Sequence, residues 1–187
     1  MNEFSMNATD AYRIGIKLFL DPATPVDLEK VIPIFHGWIQ NQSLPGHLLI
    51  DVADYSHVKD GPGVVVVGHE SNVALDEAAG RPGFYYARKR PHGGPFAQRF
   101  AEILGHALAG AKKVAADASV RFISNEVLVR VNDRLAAPNT PEVFAALKDE
   151  IARCLHTAGG SQPTLEHHAD PNIAFEVLAK FECGGLQ

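Results

Sequence analysis

Residues 47–92 constrain the fold of this chain more than any other stretch. At their centre lies Val64-Val-Val-Val67, the most apolar strand signal in the sequence, bounded by Lys59-Asp-Gly-Pro-Gly63 and by Gly68. An unbroken β-branched run between Gly and Pro punctuation reads as a strand buried on both faces. Residues 47–52 form a strand before it, and residues 72–75 and 84–88 form strands after it, joined by the turn Ala78-Ala-Gly-Arg-Pro-Gly83. The same stretch holds the chain's densest grouping of His, Asp and Glu, namely His47, Asp51, Asp54, His57, His69 and Glu70. It leaves through a basic turn, Arg88-Lys-Arg90-Pro-His92-Gly-Gly94.

On either side the hydrophobic period alternates between two and 3.6. Residues 12–20 read as a half-buried strand through Ile14, Ile16, Leu18 and Leu20. Thr24-Pro25 then has the chemistry of a helix cap, and the predicted helix runs to about residue 40 along Leu28, Val31, Ile32, Phe35, Trp38 and Ile39. Pro33 inside it predicts a kink or a late start. The clearest helix spans 96–116, with Phe96, Phe100, Ile103, Leu104, Ala107, Leu108, Ala111 and Val114 at helical spacing. Residues 120–123 and 127–131 read as a hairpin turning at Ser124-Asn-Glu126. Thr140-Pro141 opens a third helix, closed by Gly159-Gly160, and strands at 164–168 and 173–181 end the pattern. The predicted class is α+β, with three main helices on an antiparallel or mixed sheet. Residues 1–10 read as a loose lead-in, 11–183 as one domain, and the last four residues as a frayed tail.

Two segments echo each other. Ile16-Lys-Leu-Phe-Leu leads through Thr24-Pro25 to a helix and the strand at 47. Leu128-Val-Arg-Val131 leads through Thr140-Pro141 to a helix and the strand at 164. This order resembles a duplicated βαβ-type unit with added antiparallel strands, as in ferredoxin-like α+β folds, and divides the domain into halves at 11–92 and 93–183.

Bulk properties narrow the function. A chain of 187 residues, 46% apolar and 21% charged, has the composition of a soluble globular protein. A net charge of −5 argues against a general nucleic-acid or anionic-membrane binder. Cys154 and Cys183 match neither a CxxC motif nor a zinc knuckle. The first residues lack a charged and apolar leader, and no window reaches the ~18 apolar residues of a membrane span. The expected location is the cytoplasm.

Three kinds of chemistry suggest themselves. His47, His69 and Glu70 have the donor types of a divalent-metal site, because antiparallel pairing through the 59–63 loop brings residues 47 and 69 to the same end. Asp54 and His57 form a separate group at the other end. Asp51, with His57 and His69, is the candidate catalytic set of a hydrolase or other enzyme. A carboxylate amid Leu48-Leu-Ile50 and Val52 needs a partner if buried, and Arg81, Arg88 or Lys17 can supply one. Arg88, Arg90, His92 and Gly94, just before the helix at Phe96, have the makings of an anion site, since helix N-termini present free N–H groups and positive potential. Serine nucleophiles at 56 or 71 are disfavoured, because adjacent residues on an extended strand point apart and no GxSxG elbow exists. Finally, Phe84-Tyr-Tyr86, read as an edge strand guarded by the charges at 88–90, suggests a homodimer. The leading expectation is a small-ligand-binding or assembly module with an anionic ligand. The alternative is an enzyme, with or without metal, using the His/Asp group.

Overall fold

The first strand explains the sheet. A computed structural model describes residues 7–182, 185 and 186. In it β1 (Ile14–Leu20) is buried at all seven positions. Ile14, Ile16, Leu18 and Leu20 face one way, and Gly15, Lys17 and Phe19 the other. Such a strand belongs at the centre of a sheet. Around it stand β2 (Leu49–Tyr55), β3 (Gly63–Gly68), β4 (Ser71–Asp76), β5 (Gly83–Arg88), β6 (Phe122–Val131), β7 (Thr164–His167) and β8 (Phe175–Lys180). They form one eight-stranded sheet in the order β2-β3-β4-β5-β1-β6-β8-β7, with every neighbouring pair antiparallel.

The three helices lie on one face. α2 (Phe96–Ala118) crosses β1 and β5, α1 (Leu28–Gln40) covers β2 and β3, and α3 (Pro141–Gly159) packs on α2 and β7. Phe100, Ile103, Leu104, Ala107 and Val114 of α2 meet Ile16, Leu18, Phe84 and Tyr86 from the sheet in one apolar layer. The approach is close at Gly110, where a Cβ would stand 2.4 Å from the Phe84 ring.

The α+β class therefore stands, with three helices and an antiparallel sheet. β1 and β2 run parallel to each other with three strands between them, and β6 and β7 run parallel with one strand between them. This shared strand–helix–strand order does not by itself establish a duplicated ferredoxin-like unit.

Several expectations need correction. The first helix is capped by Asp27, which accepts from the Glu29 amide at 3.2 Å, rather than by Thr24, and Pro33 sits inside it. The expected hairpin at 124–126 is one continuous strand, β6, whose register against β1 shifts between Leu18 and Leu20. A tight hairpin wants positive φ, and Ser124, Asn125 and Glu126 do not have it. β5 is not an edge; it lies between β4 and β1 beneath α2, so the edge argument for a dimer falls away. The valine run is buried on one face only: Val64 and Val66 face the helices, while Val65 and Val67 are half-buried on the uncovered face. The lead-in includes a short 3-10 turn at Ala8–Asp10 capped by Asn7, and Leu186 of the tail is buried, its amide donating to Ser124 O at 3.0 Å. Residues 1–6, Cys183, Gly184 and Gln187 lie outside the described residues.

The face opposite the helices holds a polar layer. Lys17 Nζ donates to Asp76 Oδ2 at 2.5 Å and to Ala78 O at 3.3 Å, and the two side chains are only 3% and 7% exposed. Gly83 makes this reach practicable: a Cβ there would lie 3.0 Å from Lys17 Cε. Beside the pair, the Tyr85 hydroxyl accepts from Asn132 Nδ2 at 2.8 Å, and Arg130 Nε donates to Glu176 at 2.5 Å. Burial holds the Lys17 ammonium below the usual lysine range, against the opposing pull of Asp76. Replacing Asp76 with Ala leaves a buried ammonium without its counter-charge, and we predict a loss of about 3–5 kcal/mol in urea unfolding. A loss under about 1 kcal/mol would mean the pair is already well solvated.

Candidate functional site

A gathering of titratable side chains lies where the end of β5 meets the first half of α2. Strand alternation sends Phe84, Tyr86 and Arg88 to the helix face. Tyr86 is 1% exposed, and its hydroxyl lies 2.9 Å from His47 Nε2. The other His47 nitrogen, Nδ1, is 3.1 Å from Pro45 O, which can only accept. In the neutral ring Nδ1 therefore carries the proton, and Nε2 accepts from the Tyr86 hydroxyl. Burial pushes the Tyr86 phenol above its ordinary range, while Ser71 and Arg88 act in the opposite direction.

Helix α2 supplies the second wall. Glu102 and His106, four residues apart, share one face of the helix. The His106 ring stacks on Tyr86 at 5.5 Å and meets the His47 ring edge-on at 4.5 Å. Glu102 stands between two imidazoles, 3.8 Å from His106 Nε2 and 3.8 Å from His92 Nε2. His92 precedes the helix; both its ring nitrogens are buried, and the one backbone group acting on the ring is the Arg99 amide. Burial, with Arg88 adding to it, holds the His92 imidazole below the usual histidine range; burial, the neighbouring His47 and Arg88 do the same for His106, and Glu102 opposes both.

The helix start completes the group. Pro95 at the N-cap offers no side-chain acceptor to the first-turn amides. Arg99, 7% exposed, is held by carbonyls alone, donating to Gly94 O at 2.5 Å, Thr9 O at 2.6 Å and Ala11 O at 3.0 Å. Its Nε has no hydrogen-bond partner among the described residues. The end of α2 is thus rich in buried donors and positive charge.

The residues singled out from sequence divide. His47, Arg88 and His92 join this group. Arg88 Nε donates to Arg90 O at 3.1 Å, while Arg90 and Gly94 are exposed. His69 donates through Nδ1 to Glu70 at 2.8 Å, which holds the Glu70 carboxyl below its usual range, and His47 is engaged elsewhere. Among the described residues no group of three or more His, Cys, Asp or Glu side chains is placed to hold a metal ion. Asp51 is exposed. A β-bulge after Leu49 turns it away from the core, its Oδ1 accepts from the next amide at 2.8 Å, and the buried partner of Lys17 is Asp76 instead. The same bulge ends the even alternation that put His47 and Asp51 on one face. His57 lies in the β2–β3 turn, at the opposite end of β3 from His69. Asp54 accepts from the Ser56 amide at 2.8 Å, a local turn bond.

Tyr86, Glu102, His106 and Arg99 were not singled out as functional from sequence. The signal that marks Glu102 and His106 is an i, i+4 polar pair in the otherwise apolar and small-residue middle of the helix, residues 100–111. By contrast, a groove of about 480 Å³ between α2 and α3, lined by Ala101, Leu104, Leu108 and Cys154, is apolar. Its charged residues, Glu150 and Arg153, bond each other, and burial raises the Cys154 thiol, which keeps it protonated. No protein-family model matches the chain, and no curated protein matches it in sequence. Among the described residues no helix is long and apolar enough to cross a membrane.

The two depressed histidines of this site, with His167 on β7 likewise held below the usual range by burial, make stability pH-dependent. Between their folded values and the unfolded value of about 6.5 the unfolded chain binds more protons than the folded one, so stability rises with pH through that window and is lowest below it. We predict that His92→Gln and His106→Gln each flatten the rise in urea-unfolding free energy between about pH 5 and pH 7. An unchanged slope in both variants would contradict the burial of these rings.

Proposed function

We propose that the protein binds a small anionic ligand, a carboxylate or phosphate, between Arg88, His92 and the first turn of α2. The observation that carries this reading is His92, whose two ring nitrogens are buried with the Arg99 amide as the one backbone group acting on the ring, beside Arg88 at a helix start without a side-chain cap. Arg88 supplies a positive charge, and His92 and the helix amides supply donors. The His47–Tyr86 bond gives the neighbouring wall a fixed tautomer and orientation.

An acid–base enzyme is the second reading. The observation favouring it is the same Tyr86–His47 hydrogen bond, a buried phenol aimed at an imidazole, and not the Asp51, His57 and His69 set. The anion reading explains more of the group, including Arg88 and the helix end.

Calorimetric titration with inorganic phosphate and with propionate tests it. Wild type should bind at least one of them, and Arg88→Gln should weaken that binding about tenfold to a hundredfold, the worth of one charge-assisted contact. No binding by wild type, or equal binding by the variant, would remove the proposal.

A further inference from the structure

Glu102 is out of place in a site built for an anion alone. Its carboxylate stands 3.8 Å from both His92 Nε2 and His106 Nε2, the same two imidazoles that feel the charge of Arg88. It is half-exposed at 46%, and its ionic contacts, both at 3.8 Å, are to imidazoles held below the ordinary histidine range and so uncharged near neutrality. Among the described residues Glu102 forms no ion pair with Arg88, although Tyr86, His92 and His106 each feel both charges. A guanidinium at the helix-facing end of β5 and a carboxylate on α2 thus act on the same imidazoles without pairing with each other. A simple anion gains from the first and is repelled by the second. A ligand that also carries a cation gains from both.

We infer that the ligand of this site is zwitterionic, an amino-acid-like molecule whose carboxylate lies toward Arg88 and His92 and whose ammonium lies toward Glu102. This rests on the anion reading above and adds to it the second charge. His106, next to Glu102 on α2, then stands beside the ammonium, and Tyr86 packs against both the His106 and His47 rings and holds their positions.

Alanine, propionate and ethylamine separate the contributions, since they share a carbon skeleton of similar size and differ in charge. Titrated at neutral pH, wild type should prefer alanine over propionate by about fivefold, the upper worth of a half-exposed ion pair, and should bind ethylamine least. Glu102→Gln should abolish the alanine preference while leaving propionate binding equal or stronger, because the repelling carboxylate is gone. Arg88→Gln should weaken both acids. Equal binding of alanine and propionate, or a preference that survives Glu102→Gln, would overturn the zwitterion inference and leave the anion reading intact. Failure of alanine, propionate and inorganic phosphate alike to bind would overturn both. Far-ultraviolet circular dichroism and melting of each variant confirm that the comparison is made on folded protein.

Discussion

Everything in this molecule follows from covering one face of a sheet and leaving the other to itself. Three helices lie over an eight-stranded antiparallel sheet on the same side. On that side alternate residues of the strands must be apolar, and Ile14, Ile16, Val64, Val66, Val73, Phe84, Val127, Val129 and Val177 are. Opposite them the central strands cannot rely on a second apolar layer. They bury a lysine and an aspartate against each other, with Tyr85, Arg130 and Glu176 beside them. Desolvation weighs on Lys17, and the hydrogen bond to Asp76 opposes it. The sheet's centre is therefore specified twice, by apolar packing above and by charge matching below.

The candidate site lies at the margin of the covered face. Down β5 the helix-facing residues pass from Phe84 under Gly110, through Tyr86, to Arg88. Along α2, in the direction of its N-terminus, the residues over them change from Val114 and Ala111 to His106, Glu102 and Arg99. Packing thus grades into polar chemistry along a single strand–helix contact. The same rigid elements that stabilise the core fix the orientations of the Tyr86, His106 and His47 rings, which suits a binding site. Arg99 joins the helix start to the carbonyls of residues 9 and 11, so the segment before β1 also depends on this corner.

Much of this was legible in the sequence, and the failures have physical causes. The even positions of β1, the stripe of α2, and the Thr140 cap and Gly160 terminus of α3 follow from period and local chemistry, and all are found. Boundaries failed where two local solutions compete. Asp27 outranks Thr24 as a cap, and residues 124–126 stay extended because neighbouring strands on both sides pair with β6. Asp51 misled because one inserted residue at the β2 edge reverses the face of everything after it, which alternation alone cannot register. The basic turn before α2 was visible as an anion candidate. Its partners were not, since Tyr86, Glu102 and His106 come together only when β5 is placed under α2, and sequence order gave β5 as an edge.

If the site binds as proposed, the histidines around Glu102 face the ligand. The most direct measurement is a long-range proton–nitrogen correlation spectrum of the histidine side chains, followed during titration with alanine. We predict saturable shifts of the His92 and His106 ring nitrogens, with His36 and His156, on the exposed sides of α1 and α3, unmoved. Unmoved His92 and His106 signals, or equal drift of all four, would contradict the proposed binding.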